Sequence, residues 1–130
     1  MTHLLNALAQ TVALTLAAAA RRTSTLTGSA VDVLDYEGVA TVILNASAAV
    51  AGTNPTLDVK VQHSDTTTSG DFADVTGGAF TQVTDAASLQ VLKLNVSALK
   101  RYLRVIGTIG GTSTPTFDFS VEFIGIKKAS

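Results

Sequence analysis

The sequence predicts an all-β protein, an antiparallel β-sandwich of jelly-roll type with an N-terminal arm. Eight or nine short segments have the alternation or the β-branched content of strands. Turns rich in Gly, Pro, Asn and Ser separate these segments, and no segment after residue 20 has a clear helical period. We therefore divide the chain into residues 1–20, an arm or first strand, and residues 21–130, the sandwich domain.

An apolar, Ala-rich stretch opens the chain, from Leu4 to Ala20. From Thr11 onward every second residue is a larger apolar one, which predicts a strand with one buried face. A helix is the alternative, because the apolar residues nearer the start recur at spacings of three or four and a run of alanines follows. No Lys or Arg precedes the stretch, so it lacks the charged start of a secretory signal, and it is too short and polar to span a membrane.

The middle of the chain contains a continuously apolar segment followed by an alternating one. The segment from Val39 to Asn45 is rich in β-branched residues, which predicts a central strand covered on both faces. Gly52 to Pro55 has turn chemistry and is predicted to end that strand. The next strand alternates between inward Leu57, Val59 and Val61 and outward Asp58, Lys60, Gln62 and Ser64.

The second half of the sequence contains an irregular segment. Leu89 and Val91 share one parity, whereas the apolar residues from Leu92 to Val96 have the other. A β-bulge, or a bend from one sheet to another, would produce this change of phase. A further strand from Lys100 to Ile109 is predicted to end at the pair Gly110-Gly111.

The last strand has the strongest pattern. Its apolar file contains three of the five Phe residues of the chain, opposed by polar residues at every alternate position. This file predicts the aromatic centre of the core. Its members are Phe117, Phe119, Val121 and Phe123.

The composition excludes several classes of function. Nine basic side chains against ten acidic ones leave a net charge of −1, which argues against the positive field that non-specific nucleic-acid binding requires. The absence of Cys removes disulfides, thiol catalysis and thiolate metal sites. Low aromatic and charged fractions, 5% and 15%, leave the core to aliphatic residues and much of the surface to Thr, Ser and Asn.

Candidate chemical groups are few and scattered. The only histidines, His3 and His63, are sixty residues apart, so a His-based metal site or triad has almost nothing to recruit. Asp65, Asp71 and Asp74 lie near one loop, but their spacing does not match an EF-hand, and a solvated acidic loop is the better interpretation. We predict no catalytic, cofactor-binding or metal-binding residues.

Several sequence segments together resemble small structural proteins of tailed bacteriophages, of the capsid decoration or cement kind. The resemblance covers most of residues 11–126 and lies in the general pattern of strand and turn segments. It is carried by Gly38-Val39 with its following Val-Ile-Leu strand, the segment from Gly52 to Gln62, Ser64-Asp65, the segment from Gly70 to Val75, Phe80 to Val83, Lys100 to Arg104, and Gly107 to Phe117.

The resemblance implies a non-enzymatic virion protein that binds the outer surface of an icosahedral shell, often as a trimer, and stabilises the head. Its implied partners are the major capsid protein and further copies of itself, without nucleic acid or membrane. It would be made in the host cytoplasm and located on the capsid surface.

The N-terminal stretch and a basic cluster are the candidate subunit contacts. An apolar arm can add a strand to a neighbour's sheet, although the same residues would serve equally as the first strand of their own core. The candidate contact residues are Leu4, Leu5, Leu8, Val12, Leu14, Leu16, Arg101 and Arg104.

The alternative function is a tail- or fibre-associated or carbohydrate-binding module. Such modules stack sugars on exposed aromatic rings. The chain has no Trp and only two tyrosines, Tyr36 and Tyr102, which weighs against sugar binding.

Overall fold

The structure is a computed structural model that describes residues 10–128, and most of these residues are in β-strands. The strands are β1 (Thr11–Arg22), β2 (Leu26–Thr27), β3 (Val31–Asp32), β4 (Tyr36–Ala46), β5 (Ala51–Ser64), β6 (Ala73–Ala79), β7 (Ser88–Asn95) and β8 (Tyr102–Lys127). Two short 3-10 helices, Ser69–Asp71 and Val96–Ala98, lie between strands. All strand pairs are antiparallel.

The strands form two sheets that share the long strand β8. Sheet I has the order β1-β8-β4-β7 and uses the second part of β8, from Phe117 to Lys127. Sheet II places β2 and β3, two pieces of one interrupted strand, beside the first part of β8, followed by β5 and β6. Two four-stranded antiparallel sheets connected in this order form a jelly roll, so the predicted fold class is confirmed.

The strand β8 crosses from one sheet to the other without ending. Gly110-Gly111 was expected to terminate a strand, and this prediction is wrong because pairing with β5 continues on both sides of the pair, at Gly110 and at Thr112. Gly111 has φ +113°, and a Cβ atom there would lie 2.8 Å from the carbonyl oxygen of Asn54. The glycines therefore allow a close approach of two strands at the sheet corner, where a side chain would not fit.

The core lies between the two sheets. The predicted aromatic file is confirmed, since all four of its residues are buried. Tyr36 packs its ring edge-to-face against Phe123, with centroids 5.4 Å apart. Sheet II contributes aliphatic side chains to the same core: Leu57, Val59, Val61, Leu103 and Val105.

Three local predictions in the middle of the chain are wrong. β4 is central in its sheet but covered on one face only: Val42 and Leu44 are buried, whereas Val39 is 58% exposed on the outer face. The predicted turn at Gly52 to Pro55 lies inside β5, because positive φ at Gly52 and Asn54 is absorbed by irregular pairing. Ser64 is buried at the end of β5, where its hydroxyl accepts a hydrogen bond from the Thr66 N–H.

The described residues at the start of the chain form a strand of sheet I from Thr11 onward. β1 pairs with β8 along its length, with register shifts after Thr15 and after Ala17. Residues 11–22 are therefore extended, and the helical alternative does not apply to them. β1 also runs across the expected boundary at residue 20 into the sandwich domain.

Candidate functional site

The apolar candidates in β1 contact the core of their own chain. Leu16 is buried, and Val12 and Leu14 are partly buried against the core. This arrangement corresponds to the first-strand alternative, because the three side chains pack against the core of their own chain. The remaining arm candidates, Leu4, Leu5 and Leu8, lie outside the described residues.

The candidate Arg101 is paired with a neighbouring strand. Its Nη2 and Nε donate to the Asp32 carboxylate, at 2.8 and 3.2 Å. The hydrogen bond from Arg101 lowers the pKa of Asp32, and a second hydrogen bond from the Leu34 N–H adds to the effect. Because both side chains are about half exposed, this ion pair contributes little to stability. It orients the guanidinium at the surface.

The candidate Arg104 lies in β8 and anchors a loop. Its Nε donates to the Gln62 side-chain oxygen at 2.9 Å, and Nη1 donates to the Ser69 hydroxyl at 2.9 Å. The guanidinium carbon also lies 4.3 Å from the centre of the Phe72 ring. The structure therefore does not bring Arg101 and Arg104 together, and each has an intramolecular role.

A surface groove of about 260 Å³ lies beside the turn that precedes β4. Lys100, Arg101 and Lys128 contribute cations to its rim, whereas Glu37 contributes an anion and Leu34 an exposed apolar side chain. Since Arg101 is already paired with Asp32, the groove has no single strong charge. It is a shallow surface of mixed character.

The ionisable candidates that the structure describes lie at separate places, and His3 is outside the described residues. His63 accepts a hydrogen bond at Nδ1 from the Lys100 N–H, and burial lowers the pKa of this histidine, with a smaller effect from the Lys100 charge. Asp74 accepts from Lys60 and Gln62, and Asp71 accepts from Thr66. Within residues 10–128 no group of three or more His, Cys, Asp or Glu side chains is placed to hold a metal ion.

The two tyrosines are not free aromatic platforms. Tyr36 is buried against Phe123 in the core. Tyr102 is partly buried, and the guanidinium of Arg101 lies 5.1 Å from the centre of its ring. Neither ring offers the open face on which a sugar would stack.

The largest exposed apolar side chains near a sheet edge lie on β7. Leu89 is 70% exposed and Val91 is 54% exposed, both on the outer face of sheet I. The pairing of β7 with β4 is continuous from Ser88 to Asn95, so the predicted bulge or bend between Val91 and Leu92 is wrong. The change of apolar parity means instead that β7 has apolar residues on both faces. The same sequence signal could have identified this exposed pair.

Among residues 10–128, no helix has the length and hydropathy required to cross a bilayer.

The fold and the surface together define a jelly-roll β-sandwich with an exposed apolar edge. No family model matches the chain, and no curated protein sequence matches it. A chain of infectious bursal disease virus, Gx strain, has the same fold with a TM-score of 0.55 at 12% identity, and the match covers 92% of this chain and 32% of the virus chain. The Gt strain gives a TM-score of 0.55 at 11% identity, covering 90% and 32%.

A prophage protein is also similar. The SPBc2 prophage-derived protein YomS gives a TM-score of 0.46 at 13% identity, with 90% of this chain and 93% of that chain covered. The present chain spans about a third of the virus chains that it matches. At these identities the likeness concerns the fold.

Proposed function

We propose that this chain is a non-enzymatic phage virion structural protein, a capsid decoration or cement protein. In this role it binds the outer surface of the major capsid shell as an oligomer, with a trimer favoured, and stabilises the head. It would be made in the host cytoplasm and end on the capsid surface. The observation that carries the proposal is the jelly-roll sandwich, a fold that the chain shares with a chain of infectious bursal disease virus at a TM-score of 0.55.

The polar contacts of the surface support a scaffold role. Arg104 ties the loop at Ser69 to sheet II, and Lys60 and Gln62 both hold Asp74 of the edge strand β6. Arg21 forms a two-point contact with Asp118 across β1 and β8, at 2.9 and 3.0 Å. Side chains that make such intramolecular contacts rigidify loops and sheet edges, and this rigidity suits a protein that stabilises a capsid.

The exposed guanidinium of Arg101 is a candidate shell contact within this proposal. It uses two nitrogen atoms for Asp32, and arginine has further donors that a carboxylate of another chain can accept. Residues 1–9, with Leu4, Leu5 and Leu8, are the second candidate contact. We expect deletion of residues 1–10 to weaken assembly while the sandwich remains folded; a deletion variant that unfolds would contradict the arm hypothesis.

Light scattering is the primary test. The mass of the purified chain would be measured at several concentrations, with and without expanded heads of the phage whose genome encodes it. A stable trimer that binds the heads is the expected result. A monomer that is indifferent to heads would overturn the proposal and favour a tail-associated or sugar-binding role. An Arg101→Ala variant that binds heads as tightly as the parent would remove that residue from the contact.

A further inference from the structure

Among the described strands, three of the four sheet edges have features that discourage pairing with another chain. β1 is interrupted by register shifts after Thr15 and after Ala17. The guanidinium of Arg22 donates to the carbonyl oxygens of Ala18 at 2.6 Å and Ala20 at 3.3 Å, which occupies acceptors on the same edge strand. Bulges and charged side chains are the devices by which proteins protect sheet edges.

The two edges of sheet II are protected in other ways. β2 and β3 are two residues each, and they are separated by residues 28–30, which belong to neither strand although the Gly28 N–H donates to the Val105 carbonyl oxygen of β8 at 2.8 Å. β6 has a register shift against β5, a positive φ at Gly77, and the exposed ion pair between Asp74 and Lys60. Short or irregular edges of this kind make poor templates for a partner strand.

The fourth edge, β7, lacks such interruptions. All eight of its residues pair in one uninterrupted register with β4, and no other described strand pairs with it. Its outer face presents Leu89 and Val91, and Lys93 is its only charged residue. On the inner side, the Gln90 amide exchanges two hydrogen bonds with the backbone of Thr81, at 2.7 and 2.8 Å, which holds the strand in place. A regular, apolar edge strand is a template for pairing.

We propose that β7 pairs antiparallel with β7 of a second copy, across a two-fold axis at Val91. In this register the two valines face each other, a favourable cross-strand pair of β-branched residues. Each Lys93 lies opposite Leu89 of the other copy, where its aliphatic stem covers the exposed leucine and its ammonium reaches solvent. The self-pairing is isologous, so one strand supplies both halves of the contact.

Charge selects among the possible registers. Opposed residues of an antiparallel pair point to the same face, so only registers that keep the outer residues together are compatible with the sheet. The register centred on Lys93 brings like charges face to face and is disfavoured. The register centred on Leu92 places polar Asn95 against Leu89. The register centred on Val91 avoids both mismatches and keeps seven residues of each β7 opposed, whereas a register centred on Gln90 keeps only five.

The contact is expected to be weak but specific. Eight residues of an antiparallel strand are about 27 Å long, so an edge contact buries less than the roughly 800 Å² per partner of a standard interface. We therefore expect a contact between two copies whose population rises with concentration and which adds to the trimer of the proposed function rather than replacing it. The inference goes beyond the proposed shell binding, because it requires only a second copy; on a shell, the same contact would join neighbouring trimers.

Cysteine cross-linking tests the contact and its register, since the chain has no Cys of its own. In the proposed dimer the two residue-91 Cβ atoms are about 4.5–5.5 Å apart, close enough for a disulfide after a small adjustment. We expect Val91→Cys to form a disulfide-linked dimer under mild oxidation at least tenfold faster than its controls. The matched control is Leu89→Cys, whose two copies are offset by four residues, or about 14 Å along the strand. Leu34→Cys, half exposed and away from β7, is a second control.

The outcomes separate this inference from the proposed function. Equal cross-linking rates for all three variants, or none for Val91→Cys, would overturn the β7 dimer. In light scattering, Val91→Lys should lose the concentration-dependent increase in mass while its urea midpoint stays near that of the parent. If Val91→Lys instead lost head binding while its mass matched that of the parent, β7 would bind the shell protein rather than a second copy. The inference would then fail. Rapid Val91→Cys cross-linking without head binding would refute only the proposed function.

Discussion

Replacing Phe123 by Ala tests the centre of the sandwich core. The ring is fully buried and contacts Tyr36 edge-to-face at an interplanar angle of 84°. Transfer of a Phe side chain out of water contributes roughly 1.5–3 kcal/mol. The cavity left by alanine raises the expected loss in free energy of unfolding to about 3–5 kcal/mol. The edge-to-face contact accounts for about 0.5–1.5 kcal/mol of this.

Urea denaturation followed by far-UV circular dichroism measures the loss, with the slope of the transition compared between variants. Phe123→Leu leaves a smaller cavity and should cost about 1–2 kcal/mol, so it remains measurable if the alanine variant does not fold. A double-mutant cycle with Tyr36→Ala should give a coupling energy of about 1 kcal/mol, because the two rings are in direct contact.

The control is a large apolar residue outside the core. Leu34 is half exposed, and Leu34→Ala should change the free energy of unfolding by less than about 0.5 kcal/mol. A loss in free energy of unfolding below about 1 kcal/mol for Phe123→Ala would refute the reasoning, since removing a fully buried ring from between two sheets leaves a large cavity.

Three further predictions concern the backbone and pH. Gly111→Ala should lower the free energy of unfolding by about 1–3 kcal/mol, because its φ of +113° strains a side chain and the new Cβ meets the Asn54 carbonyl; an unchanged urea midpoint would contradict the close approach. Thr114→Gly should raise the free energy of unfolding by up to about 1 kcal/mol, since a β-branched residue at φ +55° is strained. A destabilised Thr114→Gly variant would contradict this prediction. The fold lowers the pKa of His63 below the ordinary histidine value of 6.5. As pH falls below 6.5 the unfolded chain therefore binds more protons than the folded chain, and the free energy of unfolding should decrease. Urea midpoints at pH 7.5 and 5 should differ less for His63→Gln than for the parent, and equal differences would refute this assignment.

The outline of the fold could be predicted because alternation reports directly on which face of a strand is buried. The residues Phe117 to Phe123 and Leu57 to Val61 have this pattern, and both segments occupy the core as expected. The prediction that Val39 to Asn45 is covered on both faces was wrong. A continuous apolar sequence fits a strand covered on both faces as well as a strand with one partly exposed apolar face.

The candidate surface was harder to predict than the fold. The parity change at Val91 and Leu92 is visible in the sequence, but periodicity does not distinguish a bulge from a strand that is apolar on both sides. Only the continuous pairing with β4 shows that Leu89 and Val91 point outward. The arginines Arg101 and Arg104 were candidate contacts from the sequence, but their partners Asp32 and Gln62 are distant in sequence and could not be predicted from it.

By itself the sequence determined the all-β class, the aromatic centre of the core and most strand positions, because side-chain alternation and turn chemistry act over a few neighbouring residues. Only the tertiary structure decided that Gly110-Gly111 continues a strand from one sheet into the other. It also decided that β1 pairs in its own sheet and that β7 is left at an edge. These outcomes depend on which distant strands become neighbours, a choice made by the packing of the whole core that no local pattern records.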